Sequence, residues 1–142
     1  MRRVALAFAV LVLFCTSCSV MCTKKHALKG TKWVAEYKIF VADAGNENVT
    51  ATLSFLPSGK YTIHTVASMP SYPAMHMNAD GSVDTMPGYT REYTQSGTYT
   101  FSDNLLVLTS DDGGRTEMKY TGDAFVCDRF DGYLSCTFKK EK

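Results

Sequence analysis

Cys127 and Cys136 bracket the segment Cys127-Asp128-Arg129-Phe130-Asp131-Gly132-Tyr133-Leu134-Ser135-Cys136, a spacing that a β-hairpin converts into direct opposition. Asp-Gly at a two-residue type I′ turn is among the strongest local signals for strand pairing. With Asp131-Gly132 at the tip, Phe130 faces Tyr133 and Cys127 faces Cys136. Counted back from the turn, the cysteines form a non-hydrogen-bonded pair, where Cα atoms stand about 4.5 Å apart and a disulfide fits. A disulfide is therefore expected between Cys127 and Cys136. A redox-active role is the alternative, although the spacing is not the C-x-x-C of thiol oxidoreductases.

A second group with chemical potential lies between residues 67 and 91. Four of the seven methionines, Met69, Met75, Met77 and Met86, fall there, together with His76. Thioether sulfur is a soft ligand suited to Cu(I), and an imidazole can complete such a site. Met75, His76 and Met77 are consecutive, however, and cannot all face one ion in a regular strand or helix. The favoured reading is an apolar lid or partner surface in which Met69, Tyr72 and Met75 fill irregular gaps. A stretch this long is uncommon in a compact domain and is usually functional. Within it, Pro73 to Asp80 is read as a short helical turn stopped by Gly81. Elsewhere, His64 falls on the polar face of its strand and Asp111-Asp112 reads as a turn. No nucleophile–base motif and no phosphate-binding glycine loop occurs, so neither an enzyme nor a cofactor is expected.

The remaining cysteines sit at the N-terminus. Arg2 and Arg3 precede an unbroken apolar run from Val4 to Phe14, the pattern of a secretory signal. The run is shorter than the roughly 20 residues a membrane-spanning helix needs. Thr16-Ser17-Cys18-Ser19 then resembles a bacterial lipobox, with Cys18 as the cysteine that is lipidated and becomes the mature N-terminus. Cys15 follows bulky Phe14 and Cys22 follows Met21, so neither fits the acceptor position. The expected organisation is a signal peptide over 1–17, a lipidated tether over 18–30 and one domain over 31–142. Lys24, Lys25, His26 and Lys29 make the tether polar. Ser19 after the cysteine, by resemblance to lipoprotein sorting signals, implies an outer-membrane protein whose domain faces the periplasm. Export to an oxidising compartment also supports the disulfide.

The whole chain carries a formal charge of +1. Removing Arg2 and Arg3 with the leader takes it slightly below zero, leaving no basic excess for nucleic acid.

The elements that must position these residues are strands. Beyond residue 30, β-branched and aromatic residues alternate with polar ones, and turn signals recur every 8–12 residues or so, as in a sandwich or barrel. Trp33, Ala35, Tyr37, Ile39 and Val41 share one face, as do Val49, Ala51, Leu53 and Phe55. Pro57-Ser58-Gly59 sets Phe55 opposite Tyr61 and Leu53 opposite Ile63. Asp103-Asn104 sets Phe101 opposite Leu106 and Tyr99 opposite Leu108. Further turns at Asp112-Gly113-Gly114 and Gly122-Asp123 bring the count to eight strands, with Met118, Tyr120, Phe125, Leu134 and Phe138 also inward. Short turns connect only neighbours, so an all-β, eight-stranded up-and-down antiparallel barrel is expected. An open sandwich is the alternative.

Leu28-Lys29-Gly30-Thr31-Lys32-Trp33, Leu53-Ser54-Phe55-Leu56-Pro57-Ser58-Gly59-Lys60-Tyr61-Thr62, Gly97-Thr98-Tyr99-Thr100-Phe101 and Asn104-Leu105-Leu106-Val107-Leu108-Thr109 together resemble bacterial lipocalin-like lipoproteins. The resemblance implies a lipocalin-like barrel more than an activity. On this reading the barrel binds a small apolar or amphipathic molecule. Trp33, Tyr37, Tyr61, Tyr99 and Tyr120 would line the interior, with Met69, Tyr72 and Met75 at the mouth. Ala35, Ala51, Thr65, Gly97 and Thr116 would leave space. The alternative is a fully packed barrel that meets another envelope protein, as an interaction or inhibitor module, through residues 67–91.

Overall fold

The computed structural model describes residues 27–42, 44–130 and 134–142. The expected signal segment, Cys18 and the turn residues Asp131, Gly132 and Tyr133 lie outside the described residues.

Ten strands follow one another: β1 Lys32–Val41, β2 Gly45–Phe55, β3 Lys60–Met69, β4 Tyr72–Met77, β5 Val83–Met86, β6 Tyr89–Ser102, β7 Leu105–Ser110, β8 Arg115–Tyr120, β9 Ala124–Phe130 and β10 Leu134–Lys140. Eight of them close an antiparallel barrel in the order β1-β10-β9-β8-β7-β6-β3-β2, and β4 pairs with β5 alone. The fold is thus the expected eight-stranded up-and-down barrel, with a separate hairpin inserted between β3 and β6.

Local chemistry explains the register. Asp103 and Asn104 both adopt positive φ, 51° and 62°. That is the twist a two-residue hairpin turn requires, and it pairs Phe101 with Leu106 and Tyr99 with Leu108. Gly59 takes φ 82° in the turn that sets Phe55 opposite Tyr61. The alternation then buries Val49, Ala51, Leu53 and Phe55, while the residues between them stay more open to solvent. Gly97 serves close approach rather than ligand space: a Cβ there would stand 2.0 Å from the Thr109 carbonyl of β7.

One pole of the barrel is filled. Trp33 and Phe125 meet edge-on at 4.6 Å, Phe55 and Tyr99 at 4.7 Å, and Tyr120 lies 5.1 Å from Phe125. Leu28 covers this pole, and the Gly30 N–H donates to the Phe55 carbonyl over 2.7 Å. Burying side chains of this size contributes about 1.5–3 kcal/mol each.

Three expectations are corrected. Residues 73–80 do not form a helical turn; Tyr72–Met77 is β4. Gly81 at φ 84° and an Asn78 N–H donating to the Ser82 carbonyl (2.7 Å) make a tight hairpin turn instead. Ser82 Oγ donating to Asp80 (2.6 Å) braces it. Strands β3 and β6 also run further than expected, pairing through Met69 and Tyr89, so the connecting segment shrinks to Pro70–Gly88. In the last hairpin Cys127 faces Cys136 as expected, but Phe130 pairs with Leu134 and not with Tyr133. One extra residue on β9 makes a bulge between these pairs, which turn counting does not reveal.

Candidate functional site: clefts beside the β9–β10 hairpin

The barrel is held unevenly around its circumference. β1 and β2 share ten register pairs, as do β3 and β6. Among the described residues, β9 pairs with β8 at Lys119↔Val126 and Tyr120↔Phe125, and β10 pairs with β1 at Trp33↔Lys140 and Val34↔Lys139, with the Glu141 N–H just beyond β10 donating to the Lys32 carbonyl. The β9–β10 hairpin is therefore an arm joined to its neighbours at the filled pole and splayed from them above it.

A cleft opens on each flank of this arm. The larger, about 730 Å³, lies between β6 and β9 over the β7–β8 turn and includes Tyr61, Ile63, Tyr93, Gln95, Thr116 and Arg129 in its lining. The smaller, about 680 Å³, lies between β10 and β1 and includes Tyr37 and Cys136. Both volumes fall within the roughly 300–1,000 Å³ of small-molecule sites.

The larger cleft combines an apolar floor with a charged rim. Tyr61 and Ile63 are buried. Burial pushes the Tyr61 hydroxyl above its ordinary value, and the nearby Asp111 and Asp112 carboxylates push it further. Asp112 is itself held below the usual carboxylate range because the Ser110 hydroxyl and the Gly114 N–H donate to it. Asp111 accepts from Ser96 Oγ at 2.6 Å. Arg115 is engaged by Glu117 at 2.6 Å. Arg129, exposed on the arm, makes no ion pair among the described residues. It is thus the cation free to meet a ligand.

The cysteines sit inside the arm. Cys127 is fully buried and Cys136 nearly so. The two are not joined by an S–S bond in this structure. Cys127 Sγ donates to the Arg129 carbonyl, 3.1 Å away. The Cys127 thiol is lowered to about 7, chiefly because the Cys136 thiol donates to it; burial opposes this, and the Arg129 main chain assists. The same contact, with burial, drives the Cys136 thiol far upward.

The residues expected to bind ligand are distributed rather than gathered. Trp33 and Tyr99 are packed in the filled pole, and Trp33 Nε1 donates to Thr31 Oγ1 at 3.0 Å. Tyr120 packs on Phe125 and its hydroxyl donates to the Gly122 carbonyl. Tyr61 lines the larger cleft and Tyr37 the smaller. Met69 is buried beside the β3–β6 pairing. Tyr72 lines a third pocket, about 310 Å³, with His76, Met86 and Val41 of the β1–β2 turn region. Met75, His76 and Met77 are successive residues of β4. Among the described residues no cluster of three or more His, Cys, Asp or Glu has metal-binding geometry.

Sequence reading missed Arg129, Tyr93 and Gln95. The last two share the parity of Gly97, Tyr99 and Phe101 on β6, a signal that was present. Arg129 sits in the bulge, where parity gives no guide. No helix among the described residues is long and apolar enough to cross a membrane. No protein-family model matches the chain, and no curated protein matches it significantly.

Proposed function

We propose that this chain is a membrane-anchored envelope lipoprotein whose lipocalin-like barrel binds a small amphipathic molecule in the cleft between β6 and β9. One observation carries the reading: a buried floor of Tyr61 and Ile63 lies in the same 730 Å³ cleft as Arg129, which makes no ion pair among the described residues. An apolar body would leave water on the floor, and an acidic head would meet Arg129 in a charge-assisted hydrogen bond. The filled aromatic pole argues for binding at this mouth rather than deep in the barrel.

Titration with dansyl-undecanoate tests it. Saturable fluorescence enhancement is expected, with the methyl ester and the Arg129→Ala variant each about tenfold weaker, or ~1.4 kcal/mol. Equal binding by a Thr116→Trp variant, which fills the cleft, would sink the assignment. The anchor rests on the Thr16-Ser17-Cys18 motif and is tested separately: Cys18→Ser should abolish palmitate labelling and detergent-phase partition. Localisation to the outer membrane, facing the periplasm, follows from Ser19 and is read by membrane fractionation.

A second reading has its own support. Phe40, Met77, Val83 and Met86 are exposed around the inserted hairpin and the end of β1, with Phe40 75% and Met77 68% accessible. Exposed apolar side chains in such number suit contact with another envelope protein. If so, Met77→Ser and Met86→Ser together should abolish a site-specific crosslink from position 83 while leaving probe binding intact. Copper binding by Met75, His76 and Met77 is the least supported reading. Unchanged Cu(I) affinity on Met75→Leu and Met77→Leu substitution would exclude it.

A further inference from the structure

We propose that Cys127 and Cys136 act as a redox staple that controls access to the β6–β9 cleft by setting how freely the β9–β10 arm moves. The proposal rests on the cleft reading above and extends it to regulation.

Three features converge on the pair. First, among the described residues the arm shares two register pairs with its neighbour on each side, all at the filled pole. Its upper part therefore depends on contacts within the hairpin and on Phe130, which packs edge-on against Tyr37 at 6.1 Å and Phe138 at 5.3 Å. Second, the cysteines are register partners just below the bulge, so a bond between them ties the two strands where their pairing is interrupted. Third, in the dithiol state the Cys127 thiol donates to the carbonyl of Arg129, and Arg129 lines the cleft. The state of one sulfur thus bears directly on the residue that faces a ligand.

Oxidation requires an external disulfide, such as a glutathione-type compound. Cys127 and Cys136 each lose a proton, and together they give up two electrons as their S–S bond forms. The external disulfide gains both and leaves as two thiols. The cleft between β10 and β1, whose wall includes Cys136, supplies the approach. Once the thiol hydrogen is gone, Cys127 no longer donates to Arg129, while the covalent tie replaces the weak sulfur contact across the hairpin. The oxidised arm is stiffer, and the main chain at Arg129 is repositioned.

The test uses the full chain in detergent, equilibrated with oxidised glutathione or with dithiothreitol. Peptide mapping is expected to show Cys127 and Cys136 cross-linked in the first and free in the second. Oxidation should slow amide exchange across residues 125–130 about tenfold, and dansyl-undecanoate affinity should differ several-fold between the two states. A Cys127→Ser, Cys136→Ser variant should bind like the reduced protein and ignore reductant. Two free thiols after equilibration with oxidised glutathione would overturn the staple. A disulfide that leaves exchange and affinity unchanged would overturn its control of the cleft. Absence of probe binding in both states, with exchange still redox-dependent, would refute the cleft reading and leave the arm's response standing.

Discussion

Arg91 Nη2 on β6 donates to Glu47 Oε2 on β2 across 2.7 Å, reaching over the intervening strand β3. Glu47 is fully buried, whereas the Arg91 side chain is 60% accessible. The pair ties β2 to β6 across β3, and the inserted hairpin emerges between β3 and β6. A buried carboxylate without its partner costs more than the pair contributes. Arg91→Ala should therefore lower stability by about 2–3 kcal/mol, and replacing Glu47 and Arg91 together with leucine should recover most of the loss. Urea denaturation of the singles and the double variant checks this.

Phe125 is the hub of the filled pole, with ring contacts to Trp33, Phe55, Phe101 and Tyr120. Phe125→Ala should cost about 3–5 kcal/mol, because four rings cannot all collapse into the space. Thermal unfolding followed by near-ultraviolet dichroism reads this directly.

Gly97→Ala should destabilise by about 2 kcal/mol although it adds one methyl group. The methyl would meet the backbone of Thr109 and Ser110, which the β6–β7 pairing holds in place. Chemical denaturation of the purified variant measures the loss.

The β7–β8 turn should confer a pH-dependent increment of stability. Asp112 titrates below its ordinary value because Ser110 and Gly114 donate to its carboxylate. A lowered carboxyl contributes stability that is complete above its unfolded value near 3.8 and is lost as pH falls through the folded value. Asp112→Ala should be less stable than the parent at pH 7, and the difference should be smaller at pH 2. Equal differences at both pH values would refute the assignment.

The Cys127 thiol, held near 7, sets the pH profile of oxidation. The rate of disulfide formation with oxidised glutathione should rise about tenfold per pH unit below that value and flatten above it. A thiol with an ordinary value would carry the rise past pH 8 or so.

Most of the barrel was legible because alternation and turn chemistry agree. Val49 to Phe55, Gly59 and Asp103-Asn104 each fix a register by local rules, and their pairings coincide with the observed ones. The site was less legible. Tyr93 and Gln95 lie on a face whose parity was readable, yet nothing in their type marks them as a wall. The bulge at Arg129 depends on the extra residue that β9 accommodates, a tertiary outcome. The hairpin over Tyr72–Met86 was misread because Pro73 and Gly81 suit a helical turn as well as a strand and its reversal. Glu47 was unforeseen because a glutamate in an alternating strand reads as exposed until Arg91 is seen to meet it.

Leu28 joins the core at the filled pole, and the described chain begins there. The larger cleft and the β7–β8 turn occupy the opposite end. With an anchor at Cys18, the molecule would stand with its sealed base toward the bilayer and its openings toward the aqueous compartment. Cargo would then arrive from solution or from a facing surface, and the protein would serve as a receiver held at arm's length from its own lipids rather than an extractor of them.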